Sequence, residues 1–169
     1  MELIPPIEER HSIQKFSSKP IEPEKLKSLL EAGRRAPSAK NRQPWRFIVV
    51  EEAVARKKIE EAAFGQEHVG QAPVIVAACT TNIDYLMPNG QPAYPIDIAL
   101  AVSFMMIQAQ AEGIGSCIIT TYDEREVKEI LTVPFSMRVV MLLLLGYPAE
   151  LPFPATRKPF DQVISFNHW

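Results

Sequence analysis

The sequence predicts a layered protein of helices and strands, either an α/β or an α+β sandwich, and two kinds of apolar pattern indicate this. Short β-branched runs, typical of buried strands, alternate with longer segments whose apolar residues recur every three or four positions, as in helices. No internal repeat and no low-complexity stretch interrupts the alternation. The 169 residues correspond to one domain with a buried core, so we predict a single domain over residues 1–169.

The helical pattern occurs in five segments. They are a short turn over 6–10 and helices over 23–35, 53–64, 96–112 and 124–131. Pro23 suits a first helical turn, and Pro37 stops the helix that precedes it. The segment 96–112 is apolar nearly all round, which indicates burial on all sides. Because the domain is small, we expect a second subunit to cover part of this helix.

Four segments have the composition of buried strands. They are 46–51, 74–79, 117–120 and 139–145. The last is apolar throughout and is therefore predicted to be central. The proline- and glycine-containing segment 80–95 is predicted to be a loop. The glycines of 113–115 follow a helix and precede a strand, the reverse of a dinucleotide-binding fingerprint, so we interpret them as a helix stop and turn.

Prolines dominate the end of the chain, which holds many of the 15 in the sequence. Each removes a backbone donor and fixes φ, so the region cannot form a long helix. We predict that residues 147–169 form an extended tail that runs over a surface.

Composition excludes several classes of function. A net charge of −2 lacks the basic surplus of a general nucleic-acid binder. The longest apolar run, 139–145, is too short to span a bilayer, and no signal peptide is apparent, so we expect a soluble cytoplasmic protein without a membrane partner. The cysteines, Cys79 and Cys117, are far apart and predicted to be reduced core thiols. The three histidines lack metal-ligand spacing, so no metal is predicted.

One candidate for chemistry is the segment from Arg10 to Phe16. It offers a guanidinium, an imidazole, a hydroxyl and an ammonium group within six positions. Bidentate arginine geometry and hydroxyl donors suit a phosphate. The alternative is a solvated polar cluster near the chain start.

A second candidate is the loop from Ala36 to Trp45, which lies between a predicted helix and a predicted strand. Its small residues would allow close approach to a flat ring, and the amides of Asn41 and Gln43 can donate to and accept from ring carbonyls and nitrogens. The alternative is a tight loop in which Trp45 is a core anchor.

Taken in order, these motifs resemble the nitroreductase family of FMN-dependent oxidoreductases. The matching features are Arg-His-Ser at 10–12, Pro-Ser-x-x-Asn-x-Gln-Pro-Trp at 37–45, Gly-Ile-Gly-Ser at 113–116 and the proline-rich tail with Arg157. The resemblance covers nearly the whole chain. It implies an α+β fold with a central mixed, mostly antiparallel sheet flanked by helices. It also implies an intertwined homodimer in which the tail packs on the partner subunit.

The resemblance also assigns site residues for FMN. The phosphate would be held by Arg10, His11, Ser12 and Arg157. The partner subunit would lay the loop residues Pro37, Ser38, Ala39 and Asn41 against the flavin, and the strand end with Ile118, Thr120 and Thr121 would approach flavin N5. One departure is Gln14, where many relatives carry a basic residue.

The implied reaction is a ping-pong hydride transfer from NADH or NADPH, through flavin N5, to a small organic acceptor such as a nitroaromatic, a quinone or an enone. The flavin supplies the chemistry, so no catalytic side chain is assigned. Two alternatives stay open. They are a flavin reductase or dehydrogenase of narrow specificity and a flavin-binding carrier or sensor without turnover. The loop 80–95, with Tyr85, Met87 and Tyr94, is either part of the acceptor pocket or a surface loop.

Overall fold

A computed structural model describes residues 2–153 and 155–169; the predicted domain and tail also include Met1 and Pro154, which lie outside these residues. The helices are α1 (Pro5–Glu8), α2 (Pro23–Arg34), α3 (Ala53–Ala62), α4 (Glu67–Gln71), α5 (Tyr94–Ala111) and α6 (Glu124–Leu131). The strands are β1 (Trp45–Val50), β2 (Val74–Thr80), β3 (Gly115–Ile119) and β4 (Arg138–Gly146). Short 3-10 turns occupy Ala39–Asn41 and Phe160–Gln162.

The four strands form one sheet in the order β1-β2-β4-β3, and every neighbouring pair is antiparallel. Strand β4 is central, as predicted. A parallel contact occurs at the outer edge of β3, where Ser12 forms an isolated bridge with Ser116. The predicted α+β class with a mostly antiparallel sheet is therefore confirmed.

Helices cover both faces of the sheet. On one face, Ile75 and Leu144 pack in a core with residues of α3, α4 and α6. On the other face, Val76 and Leu143 pack in a core with residues of α2 and α5. Because successive side chains of a strand point to opposite faces, both cores need apolar residues from the same strand. This explains why β4 contains four consecutive leucines, 142–145, all of them buried.

Most predicted elements are present, with two differences of substance. Helix α4 was not predicted, because its five residues are too few to show a helical period. Strand β3 begins at Gly115, inside the segment interpreted as a turn. A Cβ on Gly115 would lie 2.6 Å from the Cγ1 of Ile13, so glycine is needed where the N-terminal segment packs against the strand. Gly113, with φ of 72°, ends α5 as predicted.

The tail begins in contact with the N-terminal segment. Phe16 bridges Pro148, and the backbone N–H of Ala149 donates to the carbonyl of Lys15 at 2.9 Å. Beyond this point the described tail residues form no strand and no helix apart from the 3-10 turn. Large apolar side chains, including Phe153 at 97% exposure and Phe166, lie open along it. The expectation that the tail packs on a partner subunit stays a prediction.

Helix α5 packs against α1, α2 and the strands β2, β3 and β4. Ile96 and Phe104 are exposed on the helix, so within one chain it is not covered all round. The expected cover by a second subunit also stays a prediction. Within the described ranges, no helix combines the length and the apolar character needed to cross a bilayer. Both cysteines are free and buried, as predicted.

Candidate functional site

A cavity of about 510 Å³ lies between the N-terminal segment and the tail. Four of the predicted site residues line it, although they come from opposite ends of the chain. These are Arg10, His11, Ser12 and Arg157. The other lining residues are Leu3, Ile7, Glu8, Pro152, Phe153 and Ala155. We call this space the anion cavity.

Strand β3 positions the N-terminal side of the anion cavity. The backbone N–H of Ile13 donates to the carbonyl of Ser116 at 2.9 Å, and the Ile13 side chain is buried against Gly115. Because Ile13 is fixed at both its backbone and its side chain, Arg10 and Ser12 are held beside the free edge of the strand.

The donors of the anion cavity have few partners within the protein. Among residues 2–153 and 155–169, neither Arg10 nor Arg157 forms an ion pair, and Arg157 donates only to the carbonyl of Thr156, at 3.3 Å. His11 Nδ1 donates to the carbonyl of Glu9 at 2.6 Å, so this ring proton is already used within the protein. The donor set fits an anion such as the phosphate of FMN. The volume lies within the range of about 300–1,000 Å³ typical of ligand sites.

Glu8 and Cys117 lie near the arginines of the anion cavity. Glu8 brings one carboxylate to the anion cavity, against the two guanidinium groups. On β3, burial raises the pKa of the Cys117 thiol, and the positive charge of Arg10 opposes that rise. The field of Arg10 therefore reaches the edge strand, and the cavity retains a surplus of positive charge.

The second predicted group lies in the connection between α2 and β1, residues 37–43, which we call the α2–β1 loop. The backbone N–H of Ala39 donates to Asp97 Oδ1 at 2.8 Å, and that aspartate is only 3% exposed. Ser38 Oγ accepts from the backbone N–H of Gln43 at 2.9 Å. These two hydrogen bonds hold the loop in place within one chain.

Three non-glycine residues of the α2–β1 loop have positive φ. The values are 53° for Lys40, 53° for Asn41 and 50° for Gln43. A left-handed conformation costs a non-glycine residue on the order of 1 kcal/mol, and such strain persists where the surroundings enforce it, often at functional sites. The hydrogen bonds to Asp97 and Ser38 provide that enforcement.

The structure does not bring the two groups together within one chain. Pro37, Ser38, Ala39 and Asn41 do not line the anion cavity. Their loop leads into β1, whereas the anion cavity lies beside β3, at the opposite edge of the four-stranded sheet. Three strand spacings of about 4.8 Å separate these edges.

The third predicted group lies at the end of β3. Ile118 is 37% exposed, and Thr120 and Thr121 are exposed beyond the strand. Thr120 lines a separate cavity of about 370 Å³, together with Tyr94 and Arg138. None of the three lines the anion cavity. Ile118 lies within β3, the strand that supports the cavity, and Thr120 and Thr121 follow it.

Three residues near these groups were absent from the predicted site. Asp97 fixes the α2–β1 loop, and Glu8 lines the anion cavity. Gln66 Nε2 donates to the carbonyls of Ala63 and Thr121, each at 2.8 Å, and so fixes the end of β3. Asp97 is an acidic residue at the start of an otherwise apolar helix, which is a usable signal. The family resemblance points to Gln66 as an amide that could touch the ring edge, and no pattern in the sequence marks Glu8.

Comparison with known proteins identifies this α+β architecture. The chain belongs to the nitroreductase family, whose model, "Nitroreductase family", matches residues 7–67 and 63–147. The resemblance read from the motifs is therefore confirmed.

Individual relatives cover nearly all of the chain. An NADH dehydrogenase of Thermus thermophilus is 31% identical over 92% of this chain and 91% of its own length. An FMN reductase [NAD(P)H] of Bacillus subtilis is 27% identical over 99% of this chain and 73% of its own length. The crystal structure of a nitroreductase family protein from Clostridium difficile 630 superposes with a TM-score of 0.89, at 26% identity and full coverage of both chains. The last match confirms the fold.

Proposed function

We propose that this chain is an FMN-dependent oxidoreductase which, as a homodimer, passes electrons from NADH or NADPH to a small organic acceptor such as a nitroaromatic, a quinone or an enone. Family membership supports an oxidoreductase. The relatives named as an NADH dehydrogenase and an FMN reductase support the nicotinamide donor and the flavin.

The observation that carries the proposal is the convergence of Arg10, Ser12 and Arg157 on one cavity. Two guanidinium groups that line one cavity, with no ion partner among the described residues, are suited to hold a bound anion. In the proposal, both arginines hold the FMN phosphate by charge-assisted hydrogen bonds, the Ser12 hydroxyl donates a further bond, and His11, between Arg10 and Ser12 in the sequence, lines the same cavity.

The homodimer follows from the separation of the site groups. The α2–β1 loop lies at the sheet edge opposite the anion cavity. A site that contains both groups is therefore proposed to combine the anion cavity of one chain with the Pro37–Asn41 segment of its partner. The exposed apolar residues of the tail and of α5 would be covered by the same association.

The chain's residues would bind and orient rather than react. When bound, FMN supplies the redox step, in which a hydride is taken from the nicotinamide at N5 and electrons pass to the acceptor. The backbone at Thr120 and Thr121 is proposed to lie beside N5, where Gln66 holds it in place. Ile118 would lie against the ring and exclude water.

A donor test decides the proposal. The protein is incubated with FMN, the unbound flavin is removed, and NADH or NADPH is added without oxygen. We expect the visible flavin absorbance to bleach, and an added nitroaromatic to restore it. Bound flavin that stays oxidised with both donors would indicate a carrier or sensor. Protein that retains no flavin would refute the proposed site.

Light scattering during size-exclusion chromatography tests the homodimer, for which a mass near twice 19.0 kDa is expected.

A further inference from the structure

Two cationic side chains of the α2–β1 loop lie over one aromatic ring. Lys40 Nζ is 5.4 Å and Arg42 Cζ is 4.2 Å from the ring centroid of Tyr85. Tyr85 belongs to the loop between β2 and α5. From the sequence alone, this loop is either part of the acceptor pocket or a surface loop. Contacts of this length are cation–π interactions, which orient the charges on the ring. We call Lys40 and Arg42 the cation pair.

The cation pair lacks acidic partners. In the part of the chain that the structure describes, neither side chain forms a salt bridge, although many other surface cations do, such as Lys15 with Glu150 at 2.7 Å. Two like charges against one ring repel each other. Both side chains are exposed, so water screens part of this repulsion, and an anion arriving there would lower it further.

The backbone that carries the cation pair is also held in place. Lys40 itself has positive φ, and the residues on either side are fixed by Asp97 and by Ser38. A fixed backbone removes part of the conformational freedom that these charges would otherwise lose on binding a ligand.

We propose that the cation pair, ordered on Tyr85, selects reaction partners that carry an anionic group beside the ring undergoing reduction or oxidation. This rests on the proposed function, in which the Pro37–Asn41 segment covers the flavin of the partner subunit, so that Lys40 and Arg42 flank the space where donor and acceptor stack. The anionic group is either a carboxylate or sulfonate of the acceptor, or the pyrophosphate of the nicotinamide donor.

Two experiments, an acceptor arm and a donor arm, test the proposal. The acceptor arm measures how the FMN-loaded protein reduces 4-nitrobenzoate, an anion, and its neutral methyl ester. The measured quantity is the ratio of kcat/KM for the anion to that for the ester, because the ratio cancels any loss common to both acceptors. In Lys40→Gln combined with Arg42→Gln, this ratio is expected to fall about ten-fold at low salt. In the unmodified protein, added salt should lower the same ratio.

The donor arm compares NADH with N-benzyl-1,4-dihydronicotinamide, a neutral donor without the pyrophosphate. Rates of flavin bleaching are measured without oxygen, and the ratio of NADH to neutral donor is taken as before. A fall of about ten-fold in this arm assigns the pair to the donor, and a fall in the acceptor arm assigns it to the acceptor. A matched control, Lys58→Gln combined with Arg125→Gln, removes two exposed cations elsewhere and should leave both ratios unchanged.

The outcomes separate the two proposals. Flavin that binds and turns over in the double variant, with neither ratio different from the control, overturns the role of the cation pair and leaves the proposed function standing. Flavin that fails to bind or to bleach in the unmodified protein overturns the proposed function, and this inference with it.

Tyr85→Leu keeps both charges and removes the ring. We expect whichever ratio falls in the double variant to fall in Tyr85→Leu as well, but by less. If that ratio does not fall, Tyr85 does not order the cation pair.

Discussion

The two halves of the proposed site are organised differently. The α2–β1 loop is complete within one chain, because a buried aspartate and a serine hydroxyl hold three left-handed residues in place. The anion cavity is not, since its two arginines lack ion partners among the described residues and one wall is an exposed tail. One half is preorganised, and the other depends on what binds.

This difference predicts how each half responds to substitution. Changes that remove the intramolecular hydrogen bonds of the α2–β1 loop should alter the stability of the ligand-free protein. Changes in the anion cavity should alter ligand affinity and leave stability nearly the same. The three predictions below test this division, from the largest effect to the smallest.

Removal of both cavity arginines, Arg10→Ala with Arg157→Ala, should weaken FMN binding by several kcal/mol, on the order of 3–5, because a phosphate would lose two charge-assisted partners. The free energy of unfolding without ligand should change by less than about 1 kcal/mol. Fluorescence titration and urea unfolding measure the two quantities. Arg46→Ala with Arg125→Ala is the matched control for lost charge. FMN affinity equal to the control would place the phosphate elsewhere.

In the α2–β1 loop, Asp97→Ala should lower the free energy of unfolding by about 1–3 kcal/mol, because the backbone N–H of Ala39 would lose a buried partner. Asp97→Asn keeps an acceptor oxygen and should lose less. Urea unfolding without FMN is the measurement. If the two variants lose equal stability, the hydrogen bond to Ala39 is not what the aspartate contributes.

The smallest effect concerns Tyr147, where the tail begins. Its hydroxyl donates to Glu22 and lowers the pKa of that carboxyl from 4.5 to about 2. Because the folded-state pKa is the lower one, Glu22 stabilises the protein above about pH 4.5, and this contribution is lost as the pH falls toward 2. Tyr147→Phe should make the decline of stability in that window shallower.

The measurement for Tyr147→Phe is urea unfolding at several pH values within the window, with Tyr85→Phe as the control, since that substitution removes a hydroxyl remote from Glu22. Glu31, whose pKa is also lowered to about 2, by Arg34 and Arg35, is unaffected by either change and supplies a common background. Identical pH profiles for the two variants would contradict the assignment to Tyr147.

Local signals were sufficient for most of the fold. Asp123 precedes α6 in the sequence, and in the structure its side chain accepts from the backbone N–H groups of Arg125 and Glu126, so the predicted start of that helix is correct. The four leucines of β4 predicted a central strand by composition alone. Both signals lie within a few residues of the structure they specify.

Signals that depend on distant contacts were missed. Gly115 is read locally as a turn residue, but its place in β3 is decided by Ile13, about a hundred positions away in the chain. The hydrogen bonds of Asp97 and Gln66 likewise join segments that the sequence does not align. The site motifs were found through the resemblance, whereas the contacts that position them required the fold.

The anion cavity joins residue 10 to residue 157, so a ligand held by both arginines closes nearly the entire polypeptide into a ring. Because the unfolded chain does not hold the two arginines together, such a ligand binds only the folded form and stabilises it by mass action. The bound anion would then join the N-terminal segment to the tail, in addition to the contacts at Pro148 and Ala149.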